Sequence, residues 1–101
     1  MTWHVAANYN DLRESDALGV LVAGQHIALY RIADEVFATS NVCTHEFALL
    51  SDGFVEGECI ECPLHAARFD IRSGKVLGAP ATAPLAIYPA KIEGGKVLIE
   101  L

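Results

Sequence analysis

Two short clusters in this chain pair a thiol with an imidazole: Cys43-Thr44-His45, and further on Cys62-Pro63-Leu64-His65. One residue separates the donors in the first cluster and two in the second, so each pair fits on a single tight loop with both donors pointing the same way. Two such loops facing each other make a four-point cage. Pro63 stiffens the second loop and removes one backbone donor, which leaves neighbouring N–H groups free to aim at sulfur. Mixed thiolate and imidazole ligation suits zinc, and it also suits an iron–sulfur centre in which histidine replaces some of the cysteine. Zinc fingers usually group the cysteines and then the histidines, whereas each loop here mixes the two types. With Cys 3 in the whole chain, a cluster held by four thiolates is excluded. A Cys/His nucleophile pair has the right residue types, but no oxyanion loop or orienting motif accompanies it.

The third thiol invites a misreading. Cys59-Ile60-Glu61-Cys62 spells Cys-X-X-Cys, yet no βαβ pattern follows it, so Cys59 reads as a small buried strand residue and Cys62 alone as the ligand. His4 and His26 lie near the beginning of the sequence and at a hairpin turn, and both read as surface residues. Arg68 and Asp70 are positioned to pair across the base of the second loop, or to remain solvated strand charges.

The elements that must hold these loops are strands. Gly19 to Ala23 and Ile27 to Ile32 are rich in Val, Ile, Leu and Tyr around a turn at Gly24-Gln25, and Val36 to Thr39 continues the meander. Ile87 to Ile92 and Lys96 to Leu101 flank Glu93-Gly94-Gly95, with alternating apolar residues in the last segment that predict a half-buried hairpin. Asp11 to Ala17 and Glu46 to Leu50 are each long enough for a helical turn only. Between the two β-rich ends, roughly residues 41–83 hold all three cysteines, His45, His65 and two of the four prolines, and read as an inserted loop-rich unit. The expected fold is mainly β, in one domain over residues 1–101.

Composition narrows the partners. A formal net charge of −6, from 13 acidic against 7 basic residues, repels a phosphate backbone and argues against nucleic acid. No apolar run approaches the ~20 residues needed to cross a bilayer, and the first residues do not form a charged-then-apolar signal segment. A reduced cytoplasmic setting is therefore expected, with no membrane. Glu46, Asp52, Glu56, Glu58 and Glu61 concentrate negative charge near the cage, either steering the protein to a basic surface or simply solvating one face.

Cys-X-His followed after sixteen residues by Cys-X-X-His resembles the ligand signature of Rieske 2Fe-2S proteins. The flanks Leu50-Ser51-Asp52-Gly53, Arg68-Phe69-Asp70, Ser73-Gly74-Lys75 and Gly78-Ala79-Pro80 extend the likeness to the small ferredoxins of bacterial aromatic-ring-hydroxylating dioxygenases. The resemblance implies a Rieske-type fold of antiparallel strands with an inserted cluster-binding subdomain. It implies one 2Fe-2S cluster, with Cys43 and Cys62 on one iron, His45 and His65 on the other, and Pro80 in a covering third loop. It also implies a monomeric one-electron carrier, not itself an enzyme, between a flavoprotein reductase and a terminal oxygenase. The 2-His-1-carboxylate site of an oxygenase would need histidines beyond the cluster's pair, and only His4 and His26 remain. The respiratory branch of the family has an extra cysteine in each loop, where Ala48 and Leu64 stand here, and hydroxyl residues at the places of Ala67 and Phe69. Fewer hydrogen bonds to the sulfurs leave the reduced cluster less stabilised, so a potential near the low end of the Rieske range, roughly −150 mV, is expected. Two competing expectations are a small Rieske-like subunit of another oxidoreductase, such as nitrite reductase, and a zinc-stabilised interaction module.

Overall fold

A computed structural model describes residues 2–44, 47–64, 66–79, 81 and 83–101. Its strands are β1 (Trp3–Asn8), β2 (Asp16–Val22), β3 (Gln25–Ile32), β4 (Glu35–Ser40), β5 (Phe54–Glu56), β6 (Cys59–Glu61), β7 (Arg68–Asp70), β8 (Val76–Gly78), β9 (Ile87–Tyr88), β10 (Ala90–Glu93) and β11 (Lys96–Glu100). They form three antiparallel sheets in the orders β1-β11-β10, β2-β3-β4-β9 and β5-β6-β7-β8.

The second of these sheets is the middle layer, and β3 shows why. Ile27, Ala28, Leu29 and Tyr30 are all fully buried, so this strand is covered on both faces. Because side chains alternate across a strand, Ile27 and Leu29 join Val36, Ala38, Val97 and Ile99 in one core against the β1-β11-β10 sheet. Ala28 and Tyr30 point the other way, into a core with Cys43, Leu50, Ile60, Cys62 and Phe69. The body of the molecule and the thiol-bearing segment therefore share the two faces of one strand.

Several expected boundaries move. The β2–β3 turn is Ala23-Gly24 rather than Gly24-Gln25: both residues have positive φ, 49° and 79°, as a two-residue hairpin turn matched to strand twist requires, and Gln25 is already paired with Val22. The helical turn expected over Asp11 to Ala17 is reduced to a 3-10 turn at Tyr9–Asp11, since Asp16 and Ala17 pair with Arg31 and Tyr30 in β2. The turn expected at Glu46 to Leu50 lies at Leu50–Asp52, with Glu46 outside the described residues. Ile87 to Ile92 is two strands: Pro89 has no N–H for a ladder, so β9 pairs with β4 and β10 with β11. Strand β1 has no counterpart in the sequence reading. The segment expected to be loop-rich carries a sheet of its own, β5 to β8, whose strands of three residues are too short to show periodicity. His4 sits half-buried in β1, while His26 is exposed as expected.

Across the layers, Arg72 forms ion pairs with Glu58, in the β5–β6 turn, and with Glu35 of β4, and lies 4.7 Å over the Phe37 ring. Inside, Tyr30 Oη and Thr39 Oγ1 are 2.9 Å apart, and Thr39 Oγ1 donates its one proton to the Ser40 carbonyl at 2.8 Å. Tyr30 is thus the donor to Thr39. Burial pushes the Tyr30 hydroxyl far above the usual phenol range, and the Thr39 hydrogen bond opposes this only in part. Tyr30→Phe is expected to destabilise the fold by about 1 kcal/mol, the usual worth of one such hydrogen bond. The check is the urea midpoint, which should fall with an unchanged slope.

Candidate metal centre

Cys43 and Cys62 stand at matching places on two hairpin tips. The first tip hangs from an antiparallel bridge between Val42 and Leu49, and within it the Cys43 N–H donates to the Ala48 carbonyl at 2.9 Å. The second hangs from the Glu61–Arg68 pair of β6 and β7, and there the Cys62 N–H donates to the Ala67 carbonyl at 2.7 Å. In each case the cysteine amide is bonded to the carbonyl five residues on, so both tips enclose the same length of chain. Left-handed backbone at Ala66, φ 58°, closes the second tip. The equal Cys-to-Ala spacing is visible in the sequence, but the roles of Ala48 and Ala67 as acceptors are a finding of the structure.

Both thiols are nearly sealed from water, at 4% exposure for Cys43 and 1% for Cys62. They share one apolar cluster with Ala48, Ala67, Leu50 and Phe69, and Ala81 and Leu85 of a third segment, the chain between β8 and β9, complete it. Thr44 Oγ1 donates to the Ala83 carbonyl at 2.8 Å and ties the first tip to that third segment. His45, His65, Glu46 and Pro80, each singled out in the sequence, lie outside the described residues. Among the described residues, then, the structure brings together the thiol half of the expected donor set. Two sealed thiols on equivalent tips, each with its own amide tied back by the loop, fit the cysteine side of a 2Fe-2S group.

At positions 67 and 69 of the second tip and its strand no side chain carries a hydroxyl. Ala67 and Phe69 are fully buried there. The Tyr30 hydroxyl, in the same apolar cluster, is committed to Thr39. At the outer surface of the tips, Phe47 and Leu64 are exposed, Phe47 to 79%.

Cys59 is held elsewhere. It lies on β6 opposite Glu56 and Asp70, buried in the sheet, as the sequence reading expected. Its sulfur lies beside the Arg68 guanidinium and holds it further into its charged range, desolvation opposing this and the Glu56 and Glu61 carboxylates adding less. An Arg68–Asp70 pair does not form among the described residues. Asp70 instead accepts from the Ser73 N–H at 3.0 Å and the Ser73 hydroxyl at 2.6 Å, closing the turn after β7. Arg68 and Asp70 are two apart on one strand, and Cys59, in the neighbouring strand, takes the guanidinium.

Comparison with known proteins agrees with this geometry. The model of the Rieske [2Fe-2S] domain matches residues 2–89. The ferredoxin component of the naphthalene 1,2-dioxygenase system of Pseudomonas putida is 50% identical over 99 residues, covering 98% of this chain and 95% of the relative. Among solved structures, a ferredoxin of Sphingomonas yanoikuyae B1 superposes with a TM-score of 0.94 at 34% identity, covering 99% of each chain. A chain from the complex of reduced oxygenase and oxidized ferredoxin in carbazole 1,9a-dioxygenase superposes with a TM-score of 0.90 at 32% identity, covering 96% of this chain and 91% of that one.

A mainly antiparallel fold whose two cysteine-bearing tips share one apolar cluster is that of a small iron–sulfur protein. The chain belongs to the Rieske [2Fe-2S] family. Its cofactor is one Rieske-type 2Fe-2S cluster, and its kind within the family is the ferredoxin component of a dioxygenase system, an electron carrier rather than the catalyst. This departs from a zinc-stabilised interaction module. Among the described residues no helix is long and apolar enough to cross a membrane.

If Cys59 serves the strand and not the cluster, Cys59→Ala keeps the full iron content and the visible spectrum of the parent protein. Iron analysis and absorbance check this, and loss of iron in that variant would make Cys59 a ligand.

Proposed function

We propose that Cys43 and Cys62 hold one iron of the cluster and His45 and His65 the other. On this reading the protein takes one electron from a flavoprotein reductase that oxidises a nicotinamide cofactor, and delivers it to the terminal oxygenase of an aromatic-ring-hydroxylating system. The observation that carries the reading is the pair of equivalent tips, each with a sealed thiol whose amide is bonded five residues on. One tip contains His45 two residues after its cysteine, and the other His65 three residues after. Neutral imidazoles on one iron leave the oxidised centre without net charge, whereas four thiolates would give it two negative charges, so an electron is accepted more easily. The thiolates favour the ferric state of their own iron, which leaves the imidazole side as the exit.

The 101 residues act as one Rieske domain with a cluster-binding part at about 41–83. Support for this comes from the shared core, in which Ala28 and Tyr30 of the body pack with Leu50, Ile60 and Phe69 of that part. The protein works as a monomer in the cytoplasm, where thiols stay reduced and nicotinamide reductants are at hand. Relatives named for naphthalene, biphenyl and 2,4-dinitrotoluene dioxygenase systems point to an aromatic compound as the eventual substrate of the oxygenase.

Dithionite-reduced protein should give the EPR spectrum of a histidine-ligated cluster, with a lower average g value than an all-cysteine one. Its midpoint potential should lie at roughly −150 mV, since no described hydroxyl stands at positions 67 and 69. Cys43→Ser and Cys62→Ser should each lose the signal; an all-cysteine spectrum would overturn the ligand assignment, and a potential above zero would overturn the expectation of a low potential. Separately, Asp52, Glu56 and Glu58 are exposed and Glu61 is half-buried in the segment that bears the two cysteine tips, with Glu58 paired to Arg72. If they steer docking to a basic surface, electron-transfer rates to the oxygenase fall as salt rises, because exposed charges are screened within ~10 Å at 0.1 M. Stopped-flow rates over a salt series check this.

A further inference from the structure

The two tips stand on unequal foundations. The second grows out of a regular ladder, with Glu61–Arg68, Ile60–Phe69 and Cys59–Asp70 in register below it. The first has one isolated bridge, Val42–Leu49, and below that the chain leaves strand pairing for a 3-10 turn at Leu50–Asp52. Something else must hold its root.

Asn41 is placed to do so. It lies two residues before Cys43, is 2% exposed, and with Thr39 makes up the buried polar side chains among the described residues, tyrosine aside. Its Oδ1 accepts the Ser51 N–H at 2.8 Å, and its Nδ2 donates to Ser51 Oγ at 2.9 Å. Its main chain is used as well: the Asn41 N–H donates to the His26 carbonyl at 2.9 Å, and the Asn41 carbonyl accepts the Leu50 N–H at 2.8 Å. One side chain therefore grips the residue that follows the tip with two prongs, while the backbone anchors the same point to β3. A neighbouring strand leaves room for the grip. At Gly19 of β2 a Cβ would come within 2.6 Å of Ser51 Oγ and 2.9 Å of Asn41 Nδ2. The φ of Gly19 is not in the left-handed region, so it is the approach of the pincer that keeps this strand position bare.

We infer that the Asn41–Ser51 pincer, seated against Gly19, is the positioning device that fixes the first cysteine tip for the cluster, doing for that tip what the β6–β7 ladder does for the second. Neither residue touches the cluster; both act through the loop that bears Cys43. The inference rests on the reading of Cys43 as a ligand.

The test uses the full chain with its cluster and three variants: Asn41→Ala, Ser51→Ala and Gly19→Ala. The first two remove prongs, and the third wedges the pincer apart from the strand behind it. Without such a contact, Gly→Ala in a strand is neutral or stabilising, so the sign of the third variant is diagnostic. Each is read by the rate of bleaching in a strong iron chelator, by EPR of the reduced protein, and by far-ultraviolet circular dichroism. The expected result is bleaching faster by on the order of tenfold, the factor that one or two buried hydrogen bonds command, with shifted or broadened g values and the strand signal retained. Parental bleaching rates and g values in all three variants would overturn the inference. Collapse of the strand signal in all three would also overturn it, by giving the pincer a general structural role. A parent protein that binds no cluster would instead overturn the ligand assignment itself.

Discussion

The hydrogen bond from each cysteine amide back to the carbonyl five residues on is the constraint around which this molecule is organised. A thiol at a hairpin tip is ordinarily exposed and free to turn. Here the amide bond closes the tip on itself, and the small side chains of Ala48 and Ala67 at the accepting positions let both sulfurs sink into the apolar cluster. Larger residues at either alanine would compete with sulfur for that space. The same length of chain in both tips gives two related but not identical settings for a thiol, one root built as a ladder and the other as a side-chain grip.

Support for the tips comes through the middle sheet. Tyr30 reaches from β3 into the core that holds Cys43 and Cys62, and its one polar atom is kept away from them by donating to Thr39. The layer therefore contributes bulk to the thiol-bearing core without contributing a hydroxyl to it. Ala67 at the second tip and Phe69 of β7 below it likewise bring no hydroxyl.

Much of this was legible in the sequence because ligand chemistry demands particular residue types at fixed short spacings. Cys43 and Cys62 declare themselves by type and spacing and meet in one core, His45 and His65 lie outside the described residues, and Cys59 is set aside by the absence of a βαβ pattern around it. The alternation in Lys96 to Leu101 likewise gave β11. Strand β1 was hidden because His4, Ala6 and Ala7 are only half-buried, while Trp3 and Val5 face outward, which blurs the apolar period. The sheet inside the cysteine-bearing segment was hidden for another reason: three-residue strands with a Gly57 turn look like loop composition, and only their register against one another makes them strands. Asn41 and Ser51 were ordinary polar residues until their side chains were seen to meet. Pairing at a sequence distance of ten has no local signature.

Register also limits how such a chain can vary in length. Sliding β7 against β6 by one residue would turn Phe69 out of the core and Arg68 or Asp70 into it, because neighbouring side chains on a strand face opposite ways. An inserted residue within the second tip would break the amide-to-carbonyl closure at Ala67. The outer turns carry no such load: at Gly57 and at Gly94-Gly95 an added side chain would meet open space. Changes of length are thereby accommodated at the periphery, while the two cysteine-bearing hairpins are held to a fixed span.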